Sequence, residues 1–201
     1  VEKGIRFYVL DLPWTVVQDL SARTRGKDII LFNATAPEDS LRGEFCQPHL
    51  MHTIPSHAMQ TDALIQYLLS KKWRQILLLE GPLPEDALIA RAVERSAKKF
   101  GARILDKKPF QLSNDVRIRE QNNVSLMTAV RGYDVVVIAD SDGEFGRYVP
   151  YQTNLPRPVV GTTGLVSQAW HWSFERYGAP QLNSRCHVPR FGRIEVEPGV
   201  T

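Results

Sequence analysis

Four short polar stretches in this 201-residue chain hold the residue types best suited to chemistry. They are Asn33-Ala34-Thr35, Glu80-Gly81-Pro82, Asp140-Ser141-Asp142-Gly143 and Gly161-Thr162-Thr163-Gly164. Each follows a run of apolar residues. Together they offer amides, hydroxyls, carboxylates and freely approachable backbone N–H groups, the set that orients a small polar ligand. Turns draw on the same residue types, and taken singly each of these positions reads as a turn former. Their recurrence after successive apolar runs is what points to binding.

Three other clusters carry weaker signals. Asp140, Asp142 and Glu144 place carboxylates two residues apart, as a hard cation would want, but the spacing fails the calcium-loop pattern. An acidic start to a helix over Asp142–Tyr148 accounts for it on helix-dipole grounds. Cys46, His49 and His52 form C-x2-H-x2-H, followed by His57; this is no standard zinc spacing, and the expectation is loop histidines beside a buried thiol, with no metal site. Trp170-His171-Trp172 suits a stacking platform, although one indole packed on a sheet and one at the surface explains it as well. The two cysteines, Cys46 and Cys186, leave a mutual disulfide open.

Signatures of catalysis and of cofactor binding are missing from the sequence. It has no G-x-S-x-G elbow, no phosphate loop, no G-x-G-x-x-G and no H-E-x-x-H, and no cofactor is expected. A net charge of +3, spread along the chain, makes no basic stripe, which excludes nucleic acid as the expected partner. With 43% hydrophobic and 23% charged residues the chain is of ordinary globular composition. No apolar run approaches the roughly 18–20 residues that span a bilayer. Val1-Glu2-Lys3-Gly4 lacks a signal peptide's features, leaving a mature form, a truncated form or a cytosolic protein.

The elements that must position these loops alternate. Ile5–Leu10 reads as a strand, and Trp14–Arg23 as a helix with Val16, Val17 and Leu20 on one face. Asp28–Phe32 is a second strand, Asn33–Pro48 a long loop and Leu50–Ile54 a short strand. Ser56 caps a helix over His57–Lys72. Gln75–Glu80 is a buried strand, and Glu85–Phe100 a helix with Pro84 in its first turn and Gly101 as its stop. Arg103–Phe110 is a strand, Val116–Arg131 a helix, Tyr133–Ala139 a strand, Arg157–Val160 a final strand and Ser167–Tyr177 a helix. Strands separated by helices imply right-handed crossovers and a mostly parallel, doubly wound α/β architecture. In such sheets ligands sit beyond the carboxyl ends of the strands, where the four polar loops fall.

Four separated segments then resemble one family in the right order: FNATAPEDSLRG, CQPHLMHTIPSHAM, VVVIADSDGEFGRYVPYQT and RPVVGTTGLVSQAWHWSFERYGAPQL. They are similar to the type I periplasmic binding proteins that serve ABC transporters, closest to the substrate-binding proteins encoded with pyrroloquinoline-quinone-dependent alcohol dehydrogenase systems. The match covers most of Gly4–Leu182. The resemblance implies a partial lobe over residues 1–53, a second lobe over 54–166, and a C-terminal helix and irregular tail over 167–201. It implies a ligand cleft with Asn33, Ala34 and Thr35 on one side and Gly81, Pro82, Asp140, Asp142, Thr162 and Thr163 on the other.

The implied function is solute binding without catalysis in the periplasm, for an importer linked to alcohol oxidation. The partners would be a small molecule or ion and the transporter's membrane subunits. Family members are nearly twice as long, so the shortened first lobe raises a second reading, an interaction module that pairs with its own copy and binds nothing small. A third is an α/β enzyme using Cys46 as a thiolate beside His49 or His52.

Overall fold

The structure is a computed structural model that describes residues 4–111 and 122–162. The expected helix over Ser167–Tyr177, the tail, Thr163 and Cys186 lie outside them.

Two parallel sheets organise the chain. The first has the order β1-β2-β3, from β1 (Phe7–Leu10), β2 (Ile30–Asn33) and β3 (Leu50–His52). Between its first two strands runs α1 (Trp14–Arg23), the span that the apolar spacing predicts. Leu10, Leu31 and Leu50 pack with Val17 of α1 and with Leu41, burying one face of this sheet. Among the described residues nothing covers the other face, where Phe7 and Val9 are 65% and 75% exposed. The loop after β2 is not wholly irregular, since Asp39–Arg42 forms one 3-10 turn that places Leu41 in the core.

The chain then crosses to a second sheet of order β5-β4-β6-β7. Its elements are α2 (His57–Ser70), β4 (Gln75–Glu80), α3 (Pro84–Phe100), β5 (Arg103–Pro109), α4 (Val124–Met127), β6 (Val135–Ala139) and β7 (Val159–Gly161). All pairings are parallel. Ser56 caps α2 by accepting from the Met59 amide at 3.3 Å. Gly101 ends α3 in the left-handed region at φ 80°.

β4 and β6 show why both strands read as unbroken apolar runs. Ile76, Leu78, Val135, Val137 and Ala139 pack beneath α2 and α3. The alternate residues Leu77, Leu79, Val136 and Ile138 pack on the opposite face with Phe110, Val124, Met127 and Tyr133. A strand buried on both sides has no polar positions to alternate with. Gly161 closes the sheet at φ 138°, where an added Cβ would stand 2.0 Å from the Ile138 carbonyl oxygen.

Two expected helices differ. Within the span Val116–Arg131 the described part is helical only over Val124–Met127, capped by Asn123, whose Oδ1 accepts from the Leu126 amide at 3.3 Å. It stops where the Thr128 hydroxyl donates to the Val124 carbonyl at 2.7 Å and accepts from the Asn154 amide at 2.8 Å. Asp142–Tyr148 is a series of turns. The Asp140 carboxylate draws in the amides of Gly143, Phe145 and Gly146, and those donors are then lost to a helix.

Candidate functional site

The strand-end loops are built from the inside. Asn33, at the end of β2, is fully buried and folds its own loop: its Oδ1 accepts from the amides of Thr35 at 3.3 Å and Ala36 at 2.9 Å. With Oδ1 so engaged, its Nδ2 donates to the Ala36 carbonyl at 2.7 Å and to His52 Nδ1 at 3.0 Å. That contact requires Nδ1 of His52 to be the unprotonated nitrogen. Burial, and then the charge of Arg42, hold the His52 pKa below its ordinary value, in keeping with a neutral ring. Ala34 is half-buried and Thr35 exposed. The Thr35 hydroxyl accepts from the Leu12 amide at 3.1 Å, tying the loop after β2 to the loop after β1.

In the second sheet Gly81 directly follows β4, and Pro82 beside it is exposed. Gly81 is glycine for lack of room, since a Cβ would come within 2.2 Å of Asp86 Oδ2. Asp86 is a residue the sequence reading missed. It lies buried in the first turn of α3, where Oδ2 accepts from the Leu83 amide at 3.0 Å and Oδ1 from the Ser141 amide at 2.6 Å. One carboxylate thereby joins the loops after β4 and β6. An acid three residues into a helix that follows Gly-Pro-Leu-Pro was the available signal.

Asp140 is 1% exposed and organises the loop after β6 through the three amides named above. Burial pushes its carboxyl up, as does its neighbour Asp142, while the amides of Gly146 and Gly143 oppose the shift. Thr162, after β7, accepts from the Asp140 amide at 2.8 Å and donates to the Asp140 carbonyl at 2.6 Å. Asp142 is exposed, with Oδ1 accepting from the Glu144 amide at 2.8 Å. The structure therefore brings together Asn33 with Ala34 and Thr35, and Gly81 with Asp140 and Thr162 through Asp86 and Ser141. Of the expected residues, Thr35, Pro82, Asp142 and Thr162 are exposed, the hydroxyls of Thr35 and Thr162 being bonded to the backbone.

Asp39 links the two halves. Its Oδ1 accepts from the Ala58 amide at 3.0 Å and its Oδ2 from Arg95 Nη2 at 2.8 Å. The Thr53 hydroxyl donates to the Asn33 carbonyl at 3.0 Å just before the crossing.

The Cys46 thiol is free and exposed, not buried as expected, because it sits on the turn before β3 with no core beneath it. His49 Nε2 lies 3.0 Å from Thr24 Oγ1, so that nitrogen and His52 Nδ1 are both occupied. Among the described residues no three His, Cys, Asp or Glu side chains are grouped to hold a metal.

Comparison with solved structures decides the architecture. An ABC transporter substrate-binding protein from Desulfitobacterium hafniense superposes with a TM-score of 0.60 at 15% identity, over 76% of this chain and 45% of that one. The fold is that of the type I periplasmic binding proteins. A branched-chain amino acid ABC transporter periplasmic ligand-binding protein from Burkholderia xenovorans gives 0.59 at 13% identity, over 81% of this chain and 44% of that one. A solute-binding protein from R. palustris in complex with benzoate gives 0.56 at 13%, over 80% and 44%. The chain thus spans less than half the length of these three proteins, as fits a fold with one lobe incomplete. No protein-family model and no curated relative matches the chain. Among the described residues no helix is long and apolar enough to cross a membrane.

Proposed function

We propose that the chain is the solute-binding component of an ABC-type importer and takes a small ligand between the strand-end loops of its two sheets. The observation that supports this most is the coincidence of two things. The fold is one whose solved examples include ABC-transporter solute-binding proteins, one of the D. hafniense structures being a complex with Leu. And polar loops end the strands of both sheets on either side of the crossing at Thr53–Ser56. In this reading residues 1–53 and 54–166 are the two lobes. Thr35 approaches the ligand from the first. Pro82, Asp142, Thr162 and Thr163 approach from the second, with the backbone of Ala34 and Gly81 between them. Asn33 and Asp140 act by holding the loops in shape. Binding involves no chemical step and takes place in the periplasm, where the partners are the transporter's membrane subunits. The sequence resemblance adds a link to periplasmic alcohol oxidation.

A thermal-shift screen tests this with L-leucine, benzoate, simple alcohols, pyrroloquinoline quinone and di- and trivalent metal ions. A ligand that binds only the folded state at 100 times its Kd stabilises it by about 2.7 kcal/mol. A saturable rise in Tm with one compound class supports the reading, and no rise with any of them sinks it.

The uncovered face of the first sheet favours a second reading, pairing with another copy. Phe7, Val9 and Met51 line it exposed, and β1 is an edge strand. A dimer in size-exclusion chromatography that Val9→Lys converts to monomer supports pairing through this face. A wild-type monomer excludes it.

A further inference from the structure

Away from the polar loops, the two halves of the chain form an open pocket of about 600 Å³. None of the expected ligand residues lines it. Trp14, the first residue of α1, gives it an aromatic wall, and Leu88 of α3 an aliphatic one. Three acidic side chains, Glu38, Asp39 and Glu94, and three basic ones, Arg91, Arg95 and Lys98, line it. Arg95 is held by Asp39, and Glu94 takes Lys107 Nζ at 2.9 Å. Arg91 and Lys98 also line the cavity and have no acidic partner among the described residues. Seven residues apart on α3, they share one face of that helix.

Two further wall groups are unsatisfied. His57 is 6% exposed, yet its Nε2 has no hydrogen-bond partner, and neither has the buried Oε2 of Glu38. Buried polar atoms without partners are rare in folded proteins, and such an atom calls for a water, an ion or a ligand. Burial pushes the Glu38 carboxyl up.

We propose that this cavity is a second binding site, for a small organic carboxylate held by Arg91 and Lys98 with its apolar part against Trp14 and Leu88. The unpartnered His57 Nε2 supplies a further polar contact to the same ligand. The size is within the range of small-molecule sites, roughly 300–1,000 Å³. The proposal stands apart from solute binding at the strand-end loops, because it uses none of their side chains.

Phenylacetate and its neutral analogue phenylacetamide, titrated calorimetrically into the full chain, test it. Phenylacetate is expected to bind saturably and the amide at least tenfold more weakly. The double variant R91Q/K98Q should weaken phenylacetate at least tenfold. Both residues are exposed, so its Tm should be unchanged. Leu88→Trp fills the cavity without touching a charge and should abolish binding, whereas Asp142→Asn at the strand-end loops should leave it intact. The proposal is overturned if phenylacetate does not bind, if the amide binds equally, if R91Q/K98Q and Leu88→Trp both keep wild-type affinity, or if Asp142→Asn removes binding.

Discussion

The two sheets of this chain are both parallel, yet they are finished differently. β4 and β6 are covered on both faces, by α2 and α3 on one side and by Phe110, Val124, Met127 and Tyr133 on the other. Among the described residues the first sheet is covered on one face, by α1 and Leu41, and its second face presents Phe7, Val9 and Met51 to solvent. A parallel sheet needs both faces covered because its strands carry apolar residues in both directions. The difference separates the parts of the chain that supply stability from those whose apolar surface is available for other contacts.

The sharpest way to break that comparison is a matched pair of truncations. Leu78→Ala, in the middle of β4, should cost about 3 kcal/mol in urea unfolding, through lost transfer energy and the cavity left behind. Val9→Ala, on the open face, should change stability by less than about 0.5 kcal/mol. Equal costs would mean that the open face is covered in solution. Next in size is Asp86→Ala. It leaves the Leu83 and Ser141 amides without their acceptor and should cost about 1–3 kcal/mol, loosening the loops after β4 and β6 together. Amide hydrogen exchange would report the coupling as faster exchange in both loops, and faster exchange in one alone would contradict it.

The smallest effect concerns pH. The folded state holds His52 below its ordinary pKa, so the unfolded chain takes up its proton first as the pH falls. Stability should therefore decline from about pH 6.5 downward, until the folded-state pKa is passed. His52→Asn should flatten that slope. In Asp39 burial raises the pKa, but Ser56, Ala58 and Arg95 together hold it below the usual value. Its contribution is present above the unfolded carboxylate pKa and fades only at lower pH, outside the histidine window.

Much of this was legible in the sequence. The spans of α1 and β4, the start of α2 at Ser56 and the stop of α3 at Gly101 follow from periodicity and capping, which are local. The two helix failures share one cause, a side chain that reaches the backbone. Asp140 takes the amides a helix over Asp142–Tyr148 would have used, and Thr128 bonds back to Val124 and ends α4. Composition shows that such residues are present but not which backbone groups they will meet. Likewise Asn33 and Asp140 were legible as strand-end polar residues. That their side chains turn inward and leave Thr35, Asp142 and Thr162 outermost depends on burial, which spacing does not encode.

The most direct test of ligand binding between the strand-end loops is a set of ¹H–¹⁵N correlation spectra. They would be recorded with L-leucine, benzoate and pyrroloquinoline quinone added in turn. The account predicts that at least one compound shifts, saturably and together, the amides of Ala34 and Thr35 and those of Ser141, Asp142 and Thr162. Spectra unmoved by all three, or shifts confined to the residues around Leu88 and Lys98, would contradict it.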